Sequence, residues 1–170
     1  MRRIGILVGL VLLVLPWATF AAPANLLNKT ITCSVTTTAS WISADGQKGT
    51  SSRITTATVY ISSAGRTFAR TVRQDANASE DKKKAPGENT WHFVGDKLIG
   101  TSQHVSGAAQ TTISFDPAGK SCTANVLYGR DNGRAMVWKG ADGKTYTGTG
   151  PWVASNITCS IASGNAFAGQ

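Results

Sequence analysis

The sequence predicts an all-β protein, closed as a small antiparallel meander barrel of about eight strands, with a two-layer β-sandwich as the alternative arrangement of the same strands. Three observations carry this expectation. Apolar and polar residues alternate with a period of two in several segments, as in Ile31, Cys33 and Val35 against Thr30, Thr32, Ser34 and Thr36. Turn signals rich in glycine, asparagine and aspartate separate these segments at short intervals. Beyond residue 21, no stretch repeats apolar residues at i, i+3, i+4 and i+7, the stripe an amphipathic helix requires.

The segment before the first strand is of another kind. Arg2 and Arg3 precede an apolar run from Ile4 to Leu15, and Pro16 to Ala21 ends in small residues with Thr19 and Ala21 at the −3 and −1 positions. That order is the one found in a secretory leader. The apolar run is about 12 residues, short of the ~20 that cross a bilayer as a helix. Residues 1–21 are therefore read as a cleaved signal peptide, and residues 22–170 as a single β domain with no membrane span, placed in the periplasm or outside the cell.

Within that domain the strands follow in order. After the Thr30–Thr36 alternation, Thr55–Ile61 and Thr67–Val72 flank the turn Ser62-Ser63-Ala64-Gly65. Trp91–Val94 and Lys97–Ile99 flank Gly95-Asp96. Ala109, Thr111, Ile113 and Phe115 form one apolar face, and Cys122, Ala124, Val126 and Tyr128 form the next, across the turn Asp116-Pro117-Ala118-Gly119. Ala135–Lys139 lies between the turns Asp131-Asn132-Gly133 and Ala141-Asp142-Gly143. The last face runs through Val153, Ile157, Cys159 and Ile161. Threonine-rich outer faces with apolar inner faces suit antiparallel sheets wetted on one side. Two segments lack this rhythm. Residues 74–89 are polar, contain Lys82-Lys83-Lys84 and Ala85-Pro86-Gly87, and read as a long exposed loop; residues 163–170 read as a frayed tail, with Phe167 packing back on the domain as the alternative.

Export brings the three cysteines, Cys33, Cys122 and Cys159, into an oxidising compartment, which predicts one disulfide and one remaining thiol. Cys122 and Cys159 sit in mirrored settings, Ser-Cys-Thr and Thr-Cys-Ser, and are the favoured pair. Cys33, between Ile31 and Val35, is expected to act as a small hydrophobe.

The chemistry-bearing residues give no catalytic pattern. Asp45, Asp96, Asp116, Asp131 and Asp142 sit in or beside turns, while Asp75, Glu80, Asp81 and Glu88 fall in the 74–89 segment. No carboxylate lies in an apolar strand where burial would raise its pKa into the range of a general acid. His92 and His104 are isolated and the cysteines dispersed, so no metal site is expected. Neither a Gly-x-Ser-x-Gly elbow nor a phosphate-binding glycine loop is present, and no cofactor is implied. The formal charge of +8 is spread along the chain, with Lys82–Lys84 its only cluster, which gives no strong nucleic-acid signal.

What remains is recognition. Trp41, Trp91, Trp138 and Tyr146 combine apolar faces with polar tips, and Arg66 and Arg70 share one face of a strand by parity; these six are the candidate ligand-binding residues. The functional expectation is an exported, non-enzymatic β-barrel that binds a small molecule, a polymer or a protein. The alternatives are a secreted inhibitor or interaction protein acting through 74–89 and, less favoured, an exported hydrolase. Protein recovered after export is expected to begin at Ala22 by intact mass, and material retaining Met1 to Ala21 refutes the leader.

Overall fold

A 15-residue strand, β1 (Lys29–Ser43), organises the chain. The computed structural model describes residues 21–74, 78–104, 107–128, 137–140, 142–150 and 152–169. Residues 1–20 of the 21-residue leader, Asp75, the Asp131-Asn132-Gly133 turn and the side chains of Glu80 and His104 lie outside the described residues.

Along one whole side β1 pairs antiparallel with β2 (Lys48–Ile61). On its other side it pairs first with β11 (Val153–Ser163) and, from Trp41 to Ser43, with β10 (Thr145–Gly148). β3 (Thr67–Arg73) and the short β4 (Gly87–Glu88) extend the sheet beyond β2, and β9 (Val137–Lys139) extends it beyond β10. A second antiparallel sheet runs β5 (Trp91–Val94), β6 (Lys97–His104), β7 (Gly107–Phe115) and β8 (Cys122–Tyr128).

The two sheets close on one core. Ile31 and Cys33 of β1, Val59 and Ile61 of β2, Ala69 of β3, Trp91 and Phe93 of β5, Leu98 of β6 and Ile113 of β7 are buried together, with Ala124 of β8 and Ile161 of β11 packed against them. Eight strands thus surround one apolar interior, as the alternation predicted. Burying each such side chain contributes about 1.5–3 kcal/mol. The end of the barrel nearest the start of β1 is plugged by Leu26, which is 1% exposed and sits on a 3-10 turn, Ala24–Leu26. Asn25 Nδ2 donates to Pro117 O at 3.0 Å, and Lys29 Nζ donates to Gly119 O at 2.9 Å, fastening this plug to the β7–β8 turn.

Among the described residues, neither seam between the sheets is a backbone ladder. At the first, Asn89 N–H donates to Thr67 O at 2.8 Å and Thr67 Oγ1 donates to Trp91 O. At the second, β8 and β11 are joined by the Cys122–Cys159 disulfide, with Cα atoms 5.6 Å apart. This is the favoured pairing, and Cys33 is left as a buried thiol.

Three local features differ from the sequence expectation. The first is a β-bulge in β11. Ser34 pairs with Thr158, but Thr36 pairs with Ser155, so Asn156 and Ile157 together oppose Val35. Asn156 takes φ +48°, a backbone that asparagine tolerates better than most residues. Alternation reverses there, so that Val153, expected to face inward, is 57% exposed. The second is residues 74–89, read as an open loop, which carry β4 and a short helix, α1 (Ala78–Lys83). Asp81, only 2% exposed, ties α1 to β3. Its carboxylate accepts from Arg73 Nε at 3.0 Å, Arg73 Nη2 at 3.2 Å, the Arg73 backbone N–H at 3.2 Å and Lys84 Nζ at 2.8 Å. The third is the tail, which follows the alternative reading, with Phe167 packed back on the domain. Phe167 is buried beneath the Arg70 guanidinium at 5.1 Å, and Thr30 Oγ1 donates to Gly164 O while accepting from Ala166 N.

Arg73, then Lys84, holds the Asp81 carboxyl well below the usual carboxylate range. A lowered folded-state pKa stabilises fully above the unfolded aspartate value, ~3.9, and the contribution is lost as pH falls through and below it. D81N is expected to melt below wild type at pH 7, with the gap narrowing on acidification below pH ~4. Thermal melts followed by far-UV circular dichroism check this, and a gap independent of pH refutes the assigned role of Asp81.

Candidate functional site

Beyond Thr38, where β1 leaves β11, its partners are β2 on one side and β10 on the other. Ile31, Cys33, Thr37, Ala39, Trp41 and Ser43 share one side of the strand by parity. The lower residues enter the core, and Trp41 continues the same face onto an arm built from the end of β1, the start of β2, and the β9–β10 hairpin.

Register places the aromatics of this arm side by side. Ser43 pairs with Tyr146 and Trp41 with Gly148, so Trp41 and Tyr146 are diagonal neighbours on one face. Tyr146 pairs directly with Trp138 across the hairpin. The Trp41 and Tyr146 rings meet edge to face, with centroids 4.7 Å apart at 77°, and Tyr146 and Trp138 stack at 5.8 Å and 20°. Glycines make room for the rings. A Cβ at Gly49 would lie 2.5 Å from Trp41 Cζ2, and one at Gly140 would lie 2.6 Å from Tyr146 Cε2. Further along the same side of β2, Arg53, the partner of Thr37, places its guanidinium 5.9 Å from the centre of the Trp152 ring. Trp138, Tyr146, Trp41 and Trp152 thus mark an aromatic strip leading from the arm to the barrel.

The polar tips of this strip are held by charge. Tyr146 Oη donates to Asp142 Oδ2 at 2.7 Å, which lowers the Asp142 pKa and raises that of the phenol. Ser43 Oγ donates to Asp45 Oδ1, and Lys144 Nζ donates to Asp45 Oδ2 at 3.0 Å; these bonds bring the Asp45 carboxyl down to about 2 and raise the Lys144 pKa. Both carboxyls are therefore ionised at neutral pH, and neither holds a proton to donate. Trp41 Nε1 is buried and has no hydrogen-bond partner among the described residues.

Of the six sequence candidates, the structure brings together Trp41, Trp138 and Tyr146. Trp91 sits in the barrel core, 8% exposed, with its ring pressed against Gly100. Arg66 and Arg70 lie at β3, away from the arm. Arg66 Nη1 donates to Glu88 Oε1 at 2.7 Å and its guanidinium lies over Phe68, while Arg70 Nη1 donates to Lys82 O at 2.6 Å. Sequence reasoning misses Asp142, Arg53 and Trp152 as site residues. Asp142 was legible in principle, since Trp138 and Tyr146 stand four residues either side of it in a hairpin. Trp152 was not, because the bulge beyond it resets the alternation from which its face would be read. Among the described residues no group of three or more His, Cys, Asp and Glu side chains is arranged so that it could hold a metal ion.

No family model, curated protein or solved structure matches this chain. What the strip can bind therefore follows from its own geometry.

Gly49→Val places side-chain atoms where the Trp41 indole lies. It is expected to swing the ring out, alter the near-ultraviolet circular dichroism of the arm, and cost about 1–3 kcal/mol in denaturant unfolding. An unchanged aromatic spectrum refutes the packing assigned to Trp41.

Proposed function

We propose that this is an exported, non-enzymatic β-barrel binding protein, and that it meets its ligand on the Trp138–Tyr146–Trp41 strip. The observation that carries the reading is the placement of these three rings in mutual contact on one face of the arm. Indole and phenol faces with polar edges suit a ligand that is apolar on its flat sides and polar around its rim. Sugar rings have that form, and a line of rings along a sheet suits successive units of a polysaccharide. The filled interior around Leu26, Trp91, Phe93 and Leu98 supports a site on the arm over one deep in the barrel. Hydrolysis receives less support, because Asp45 and Asp142 are both held in the ionised state. The 74–89 segment receives less as an interaction loop, because Asp81 fastens it to β3.

The test is a titration of the full exported chain with soluble oligosaccharides of differing charge, followed by tryptophan fluorescence. Binding is expected to quench or shift the emission, and W138A or Y146A to weaken it about 30-fold, the loss of ~2 kcal/mol given by removing a central aromatic anchor. Arg66→Ala, at the other side of the barrel, is expected to bind as wild type. Equal affinity in W138A, Y146A and wild type overturns the site. Absence of any sugar response across the panel overturns the ligand class.

A further inference from the structure

The remaining thiol is not isolated from the disulfide. Cys33 and Cys159 are directly opposite residues of β1 and β11, on the inward face, and Cys33 Sγ lies 2.9 Å from Cys159 Sγ. Cys159 is at the same time bonded to Cys122 across the seam between the two sheets. Three sulfurs therefore meet at one point, with Cys159 in the middle and a different strand supplying each.

We infer that Cys33, Cys159 and Cys122 form a disulfide-exchange site, in which the bridge migrates from Cys122–Cys159 to Cys33–Cys159 and the free thiol passes from the core to the sheet seam. In this step Cys33 loses its proton to solvent and its thiolate attacks Cys159 Sγ. The Cys33–Cys159 bond forms as the Cys159–Cys122 bond breaks, the electron pair leaves on Cys122 Sγ, and Cys122 takes a proton from water. One disulfide and one thiol are present before and after, so no oxidant or reductant is consumed.

The two arrangements have different consequences. With Cys122–Cys159 closed, the covalent link spans a seam that has no backbone ladder among the described residues. With Cys33–Cys159 closed, the link lies inside the larger sheet, between strands already hydrogen-bonded to one another. The seam is then held by the packing of Ala124 and Ile161 against the shared core. Cys33 is 6% exposed, while Cys122 is only half-buried, so migration turns an inaccessible thiol into one that soft electrophiles and external disulfides reach. Burial also pushes the Cys33 thiol up to about 12, which keeps exchange slow at neutral pH and makes it rise about tenfold per pH unit below that value.

The test uses the folded full chain, free of added thiol or oxidant, incubated with an excess of a maleimide or iodoacetamide across alkaline pH. Samples are quenched in acid and mapped with an acid protease so that bridges do not move during digestion. The expected product carries one label, on Cys122, with a Cys33–Cys159 bridge, and it accumulates about tenfold faster per pH unit. Cys33→Ser is expected to take no label. A label on Cys33 with the Cys122–Cys159 bridge intact overturns the proposal, as does no label by the pH at which Cys33 ionises. A second variant gives an independent reading: Cys122→Ser is expected to close Cys33–Cys159 under the same mild oxidant that closes Cys122–Cys159 in Cys33→Ser. Two persistent thiols in folded Cys122→Ser also overturn the proposal.

Discussion

The fold depends on β1 having more partners than an ordinary strand. At ~3.3 Å per residue its 15 residues run about 50 Å, well beyond the usual strand of five or six residues. One edge is covered by β2 throughout, and the other is divided between β11 and β10. Because side chains alternate along an unbroken strand, the face that supplies Ile31 and Cys33 to the core must also present Trp41 on the arm. The barrel and the aromatic strip are two stretches of one surface, and the change of partner near Ser40 divides them.

This division separates what holds the molecule together from what is available for recognition. Apolar burial is concentrated toward the plugged end, where Leu26, Ile31, Ile61, Leu98 and Ile113 are nearly or fully excluded from water. Aromatic residues and paired charges occupy the other end, where Asp45, Lys144, Asp142 and Tyr146 set one another's protonation. Changes to the arm are therefore felt locally, while changes near Leu26 reach every strand of the barrel. The seams add a second asymmetry. Ladder hydrogen bonds hold each sheet, whereas among the described residues the sheets are held to each other by their shared core, one disulfide and isolated hydrogen bonds, so the seams are the natural lines of local opening.

Much of the barrel was legible because it rests on a short-range rule. Period-two alternation identified the inward residues Ile31, Cys33, Ala109 and Ile113, and glycine-containing turns set most of the hairpins. The mirrored flanks of Cys122 and Cys159 pointed to the bridge that forms. What escaped depends on partners distant in sequence or on single residues. Burial of Asp81 requires Arg73 from another element, and nothing local to Ser79-Glu80-Asp81 announces it. A six-residue helix has too few turns to show a period. Phe167 is covered by Arg70 of β3, which lies far earlier in the chain. Of the site, the ring types were visible as candidates, but separating Trp91 from Trp41 and Trp138 required knowing which rings the two sheets enclose in their core.

The bulge at Asn156 sets the phase of a strand. From Ile157 onward β11 is in step with β1 in sending odd-numbered residues inward, and before the bulge the even-numbered ones turn in, which is why Cys159 meets Cys33 while Val153 faces water. A chain shortened by this one residue would set Ser155 directly beside Ile157, leaving Ile157 alone opposite Val35 and every other pair with β1 as it is. Trp152 would stay on the side of the Arg53 guanidinium that now lies over its ring. The extra residue thus shifts the count of the strand without changing its faces, and what it adds is a local bend and twist where β11 departs toward the arm.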